Sequence, residues 1–321
     1  MTKKTVHLTG TNLDVSPLCL GCAEIGSRFN QKESFELLDL WVEAGGNFLD
    51  TAHNYADWAY PEKAISEKTI GQWLRSRKNR NHIVLGTKVA QIDPVTGHVR
   101  IKETEIRRDV DECLQCLDTE TIDLLWLHRD DVNVPVDEIM GVMLDLADAG
   151  KIRTFGLSNW SAARLKKAMT IAGRTGKFAG NQPMWSCARI DKTMLSDQTY
   201  EIMTDDMYRF HKETNLACIP FSSQARGYFS KLAEGRVTNP LTGVYGGKEN
   251  LRRFEIIHGY AKETGLPVQA IALSYLGSQP FPTVPIIGFS DPEQLMENTR
   301  HMGLTLPDAL FDLIKGEEYL F

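Results

Sequence analysis

Ile122-Asp-Leu-Leu-Trp-Leu-His128, then the helix-patterned stretch Val136–Asp148, then Gly150 and Ile152-Arg-Thr-Phe-Gly-Leu-Ser158 form the stretch that decides the fold. The two outer runs are short and almost wholly apolar, as strands buried on both faces must be. Between them Met140 and Met143 recur at helical spacing, and Gly150 closes the helix. This is a strand–helix–strand unit, and both strands end in polar residues.

The unit repeats along the chain. Apolar runs at Val15–Gly21, Asn47–Asp50, His82–Lys88, Phe178–Gln182, Leu216–Phe221 and Thr283–Ile287 bring the strands to eight. Helical patterns at Glu33–Ala44, Ser66–Ser76, Glu103–Leu117, Thr199–Glu213, Arg252–Thr264, Val268–Gly277 and Pro292–Met302 alternate with them, and Ser161 caps a further helix reaching Ala172. Eight βα units that bury every strand edge predict an α/β fold of the (β/α)8 TIM barrel type. Thr5–Leu8 and Leu13–Pro17, with Gly10 at the turn, predict a short N-terminal β-hairpin. No linker or composition shift divides the chain, so residues 1–321 read as one domain. Residues 54–65 and 222–251 are long βα loops at the C-terminal face, where barrels build their sites.

Composition narrows the function. The chain has 321 residues, 42% of them hydrophobic and 24% charged, as in ordinary globular proteins. A net charge of −6 repels phosphate backbones and argues against nucleic-acid binding. No apolar run is long enough to span a membrane, and the N-terminus lacks a signal-peptide core, so a cytoplasmic protein is expected. Cys19 and Cys22, and Cys113 and Cys116, have zinc-like spacing. Cys113 and Cys116 lie in a helical pattern, and both pairs read as apolar fillers. No metal site is predicted. His211 and His258 read as helix surface.

The polar residues ending the strands carry the chemistry. They are Asp50, with Tyr55 five residues on, Lys88, His128, Ser158 and Asn159, and Asn181 and Gln182. A barrel brings these ends to one rim. A tyrosine hydroxyl of pKa ~10 is a weak acid at neutral pH. An ammonium beside it lowers that value, and an aspartate can hold the ammonium in place. A histidine can orient a carbonyl oxygen. None of these groups supplies a hydride, so a cofactor must.

In these residues the chain resembles the aldo-keto reductases over about residues 12 to 302. The resemblance rests on Pro17-Leu-Cys-Leu-Gly21, Gly45-Gly-Asn-Phe-Leu-Asp-Thr-Ala-His-Asn-Tyr55, Ser66-Glu67 before Ile70-Gly71, Gly86-Thr-Lys88, Ile122–His128, Gly150–Asn159, Asn181-Gln182-Pro183, and Glu297-Asn298 after Ile286-Ile287-Gly288. It implies Tyr55 as general acid, Asp50 and Lys88 as its tuning pair, and His128 as substrate orienter. It implies Ser158, Asn159 and Gln182 on the nicotinamide carboxamide, with Phe221 stacked where the family usually has tyrosine. It also implies a cofactor cradle of Gly21, Cys22, Asp50, Ser222, Gln224, Gly227, Gly288, Ser290, Gln294 and Asn298. The cofactor implied is NADP(H). Residues 288–298 contain no lysine or arginine to meet a 2′-phosphate and Asp291 adds negative charge, so NAD(H) stays open, with Ser290 and helix-start amides as possible anchors.

A second departure is Ala56 in place of the family's usual glycine, followed by an aromatic-rich insertion. Trp58 and Tyr60 from that insertion, Trp185, Glu24 and Arg129 with Asp130 and Asp131 are the candidate substrate residues. Aromatic faces among polar groups suit a sugar, keto sugar or polyol. The expected activity is hydride transfer between a nicotinamide cofactor and a small-molecule carbonyl or alcohol. The alternatives are a regulatory barrel that keeps its cofactor, and a metal-dependent hydrolase using His53 and His128.

Overall fold

The computed structural model describes residues 4–59 and 62–316. It opens with an antiparallel hairpin, β1 (Val6–His7) and β2 (Asp14–Val15). Eight parallel strands follow: β3 (Cys19–Gly21), β4 (Phe48–Asp50), β5 (Val84–Val89), β6 (Ile122–Leu127), β7 (Ile152–Ser158), β8 (Phe178–Gln182), β9 (Ala217–Cys218) and β10 (Ile286–Ile287). They pair in the order β10-β3-β4-β5-β6-β7-β8-β9. Three backbone bonds close the ring: Cys218 donates to Pro282 O at 2.8 Å, Val284 to Cys218 O at 2.9 Å, and Ile286 to Pro220 O at 2.9 Å. The last two strands are shorter than the apolar runs predict because Pro220, Pro282 and Pro285 have no N–H to give the ladder.

The principal helices are α1 (Gln31–Glu43), α2 (Ile65–Arg77), α3 (Glu103–Cys116), α4 (Val136–Asp148), α5 (Ala162–Ala172), α6 (Asp205–Thr214), α7 (Tyr228–Ala233), α8 (Asn239–Tyr245), α9 (Lys248–Thr264), α10 (Val268–Gly277), α11 (Pro292–Arg300) and α12 (Asp308–Lys315). In the central βαβ unit the helix and the second strand have the predicted bounds and the first strand stops one residue short of His128, and Ser161 caps α5 by accepting from Arg164 N. Helix α6 begins six residues later than the pattern from Thr199 suggests. Thr204 caps it, and the preceding residues run alongside Met184, which bonds Glu201 O and Met203 N. The loop at 222–251 folds into α7, α8 and the first turn of α9, and α12 follows Pro307; neither the extra helices nor α12 was expected from periodicity.

Two apolar layers hold the fold. Inside the ring, Phe48, Leu124, Trp126, Ala179, Ile219 and Val284 meet Leu8, Leu13 and Val15 of the hairpin. Trp126 needs Gly156 beside it, since a Cβ there would lie 2.3 Å from the indole. The second layer lies between strands and helices. Cys19 belongs to the inner layer, Cys22 and Cys113 to the outer one, and all three are fully buried. No helix of the described residues is long and apolar enough to cross a membrane.

Candidate active site

Alternation along β5 sends Thr87 outward and Lys88 inward, where the end of β4 presents Asp50. Both charged side chains are buried, at 1% and 2% exposure. Lys88 Nζ uses all three of its hydrogens: it donates to Asp50 Oδ2 at 2.5 Å, to Thr51 O at 2.8 Å and to Tyr55 Oη at 3.1 Å. Gln182 Nε2 donates to Asp50 Oδ1 at 3.0 Å. Tyr55 sits on a tight turn, its N–H bonded to Ala52 O. The next residue, Ala56, has φ +68°. That left-handed conformation explains why glycine is the usual residue there, and alanine holds it at a cost of roughly 1 kcal/mol.

The charges set the proton inventory. Burial disfavours the Lys88 ammonium, but Asp50 and Tyr55 beside it outweigh that and raise its pKa, so it stays protonated. Burial pushes the Tyr55 phenol up, Lys88 pulls it back and Asp50 pushes it up again; the net direction is upward. From sequence, a lowered value was expected from the ammonium, moderated by Asp50; burial, the largest cause, reverses that direction. The phenol therefore keeps its proton at neutral pH. Burial, with Lys88 and Arg129 nearby, holds His128 well below the usual histidine range, so its ring is neutral. Its centroid lies 6.0 Å from that of Tyr55, and its buried Nδ1 has no partner among the described residues.

A cleft of about 550 Å³ leaves this corner and runs across the barrel mouth to the start of α11. Of the predicted cradle, Gly21, Asp50, Phe221, Ser222, Gln224, Gly227, Gly288, Ser290 and Gln294 line it. Ser158, Asn159 and Gln182 form one network beside it. Ser158 Oγ donates to Gln182 O at 3.0 Å, and Asn159 Nδ2 to Ser158 Oγ at 3.2 Å. Asn298 lies behind the lining: its Oδ1 accepts from Gln224 and Gln269, while its buried Nδ2 has no partner among the described residues. Cys22 is not in the lining; its thiol is fully buried and donates to Leu20 O. The amides expected to anchor a phosphate are engaged, Gln294 N by Asp291 and Ser290 N by Gln294 Oε1. Instead Arg226 and Lys231, from the loop after β9, bring two cations to the cleft. Both lie far in the chain from residues 288–298, the segment where the sequence shows no cation.

The predicted substrate residues separate. Trp58 is 61% exposed, with its ring 6.4 Å from Tyr55, and Glu24 lines the cleft. Tyr60 lies outside the described residues. Arg129 is held inward by Asp197 at 3.1 Å and lies 4.7 Å from the Tyr200 ring, which in turn packs 5.4 Å from Phe221. Tyr200, not singled out from sequence, thus joins the aromatic mouth. Asp130 is paired with Arg164. Trp185 is a correction: it is 3% exposed and packs on Phe281 and Tyr208 in the outer core, turned away from Tyr55. Asn181 likewise turns outward, to His211 and Met207. His211 is fully buried rather than on the surface, and burial lowers its pKa to about 4. His258 is half-buried and stacks on Phe254. Of the two histidines considered for a metal, His53 meets Glu67 and Cys113, and His128 is not part of that group.

Comparisons with known proteins agree with this architecture. The solved structure of an aldo-keto reductase from Bacillus halodurans in its holo form superposes with a TM-score of 0.73 at 22% identity, covering 98% of this chain and 95% of that one. A norsolorinic acid reductase of Emericella nidulans is 30% identical over 92% of this chain and 76% of its own length. An aryl-alcohol dehydrogenase of Pestalotiopsis microspora is 27% identical over 95% of this chain and 79% of its own. The model of the aldo/keto reductase family matches residues 17–317. That match takes in the whole barrel and every strand end described above, and the chain belongs to the aldo-keto reductase family.

Proposed function

We propose that the protein is an NADP(H)-dependent carbonyl reductase in which Tyr55 is the general acid. The observation that carries this reading is the single ammonium of Lys88 bound at once to Asp50, Thr51 O and Tyr55 Oη. When bound, the nicotinamide cofactor supplies the hydride. Tyr55 gives its proton to the carbonyl oxygen as negative charge develops there, and Lys88 stabilises the phenolate left behind. Asp50 fixes the ammonium, and the neutral His128 ring donates a hydrogen bond that orients the carbonyl. Ser158, Asn159 and Gln182 would hold the carboxamide, and Phe221 would offer a ring face to the nicotinamide.

The cleft suits such a cofactor. Its cationic end at Arg226 and Lys231 matches a phosphate. These cations favour NADP(H) over NAD(H). For the substrate, Trp58, Tyr200 and Phe221 around Tyr55 favour an aryl aldehyde or ketone, in keeping with relatives named for norsolorinic acid and aryl alcohols. The polyol reading keeps Trp58 and Glu24 in its favour. Absorbance at 340 nm, with NADPH and NADH, across aryl aldehydes, ketones, quinones and keto sugars separates the two. Tyr55→Phe should lower turnover by roughly 10²-fold with cofactor affinity unchanged. Normal turnover in that variant would remove Tyr55 from its role and favour a barrel that binds cofactor for another purpose.

A further inference from the structure

The side chain of His53, two residues before Tyr55, turns away from the cleft and enters the space between α2 and α3. Its Nδ1 lies 2.8 Å from Glu67 Oε2 and its Nε2 lies 3.1 Å from Glu112 Oε2. A ring with a carboxylate at each nitrogen carries both hydrogens and is an imidazolium. Glu67 is fully buried, and its other oxygen accepts from Thr87 Oγ1 at 2.6 Å. Thr87 is the neighbour of Lys88, and the His53 N–H itself donates to Lys88 O at 3.0 Å. One buried carboxylate therefore joins the turn that carries Tyr55 to the strand that carries Lys88, from behind both.

We propose that His53 and Glu67 are positioning residues: a charged clamp that sets the distance between Tyr55 Oη and Lys88 Nζ. The inference rests on Tyr55 and Lys88 being the proton-donating pair. Among the described residues the clamp has no other cation at its centre. The groups facing His53 are Glu67 from α2, and Glu112, Asp109 and Cys113 from α3; β5 contributes Thr87 and the Lys88 main chain. Arg100 is turned to Asp109, Arg108 lies near Asp109 and Glu112, and Lys63 lies near Asp57 across the adjoining cavity. Burial disfavours the imidazolium, but Glu67 and Glu112 outweigh it and raise the pKa to about 9. Below that pH the clamp is closed. Above it, one ring nitrogen becomes a lone pair facing a carboxylate, and the turn loosens.

The test is the single-turnover rate of NADPH oxidation with 4-nitrobenzaldehyde between pH 7 and 10.5, with KM and the NADPH Kd measured alongside. In the wild-type protein the rate should fall with a midpoint near 9. His53→Gln should lower the rate at pH 7 by about 10-fold or more, on the scale of a sub-ångström to 1 Å misplacement. Its KM and Kd should move less than about 3-fold, and the fall near pH 9 should vanish. Adding Glu67→Gln to His53→Gln should recover part of the rate, because the fully buried carboxylate is then gone and only the half-exposed Glu112 has lost its partner. Glu112 is half-exposed, so Glu112→Gln keeps the fold and should shift the wild-type midpoint to lower pH. A wild-type rate and pH profile in His53→Gln, or an unmoved midpoint in Glu112→Gln, overturns the clamp. Tyr55→Phe is run in parallel: full turnover there overturns the proton-donor reading itself, and the clamp with it.

Discussion

Lys88→Met is the perturbation whose size follows most directly from the structure. Asp50 and Lys88 are 2% and 1% exposed, and the substitution removes three hydrogen bonds while leaving the Asp50 carboxylate with Gln182 as a neutral donor. Breaking one partner out of a buried ion pair costs about 3–5 kcal/mol, because the remaining charge is uncompensated. Replacing both charges, as in Asp50→Asn with Lys88→Met, should restore most of that loss, since no ion is then buried. The pH dependence has a definite sign. Burial already raises the folded-state pKa of Asp50 against the pull of Lys88; without the ammonium it rises further above its unfolded ~3.9, so the folded variant binds a proton that the unfolded chain releases. Its stability is then greatest below ~4 and falls as pH rises through the raised pKa. Urea unfolding at pH 4.5 and pH 8 measures this: the single variant should lose ~1 M or more in midpoint at pH 8 and less at pH 4.5. A single variant as stable as the double at pH 8 would refute the argument that the pair is held as ions.

Arg226→Ala and Lys231→Ala should each weaken NADPH binding by about 10-fold or more, a loss of ~1.4 kcal/mol, while NADH binding changes far less; fluorescence titration with both cofactors reads the difference. Trp58→Ala should raise KM for a bulky aryl ketone more than for a small aldehyde, because the indole stands beside Tyr55 and is mostly exposed. Trp185→Ala should leave both KM values alone and cost about 3–5 kcal/mol of stability, the usual loss for emptying a buried aromatic site.

The barrel was legible from sequence because a parallel strand buried on both faces is apolar throughout, so its ends stand out. Polar groups at those ends, such as Asp50 and Lys88, are conspicuous for the same reason, and Tyr55 follows from its short distance to Asp50. Periodicity describes one element at a time. It does not say which loops converge, so Arg226 and Lys231 joined the cleft only when β9 and β10 closed the ring and brought the loop after β9 against the start of α11. The same blindness misjudged aromatics beyond a strand end: Trp185 leaves β8 toward the outer layer, while Tyr200 arrives at the mouth from an extended stretch that reads as helix. Asn181 and Gln182 are neighbours in the chain, yet alternation sends Asn181 to His211 and Gln182 to Asp50. Chain order determined which groups stand at the rim. Ring closure and the inward or outward sense of each side chain, which depend on packing between distant elements, decided which of them meet.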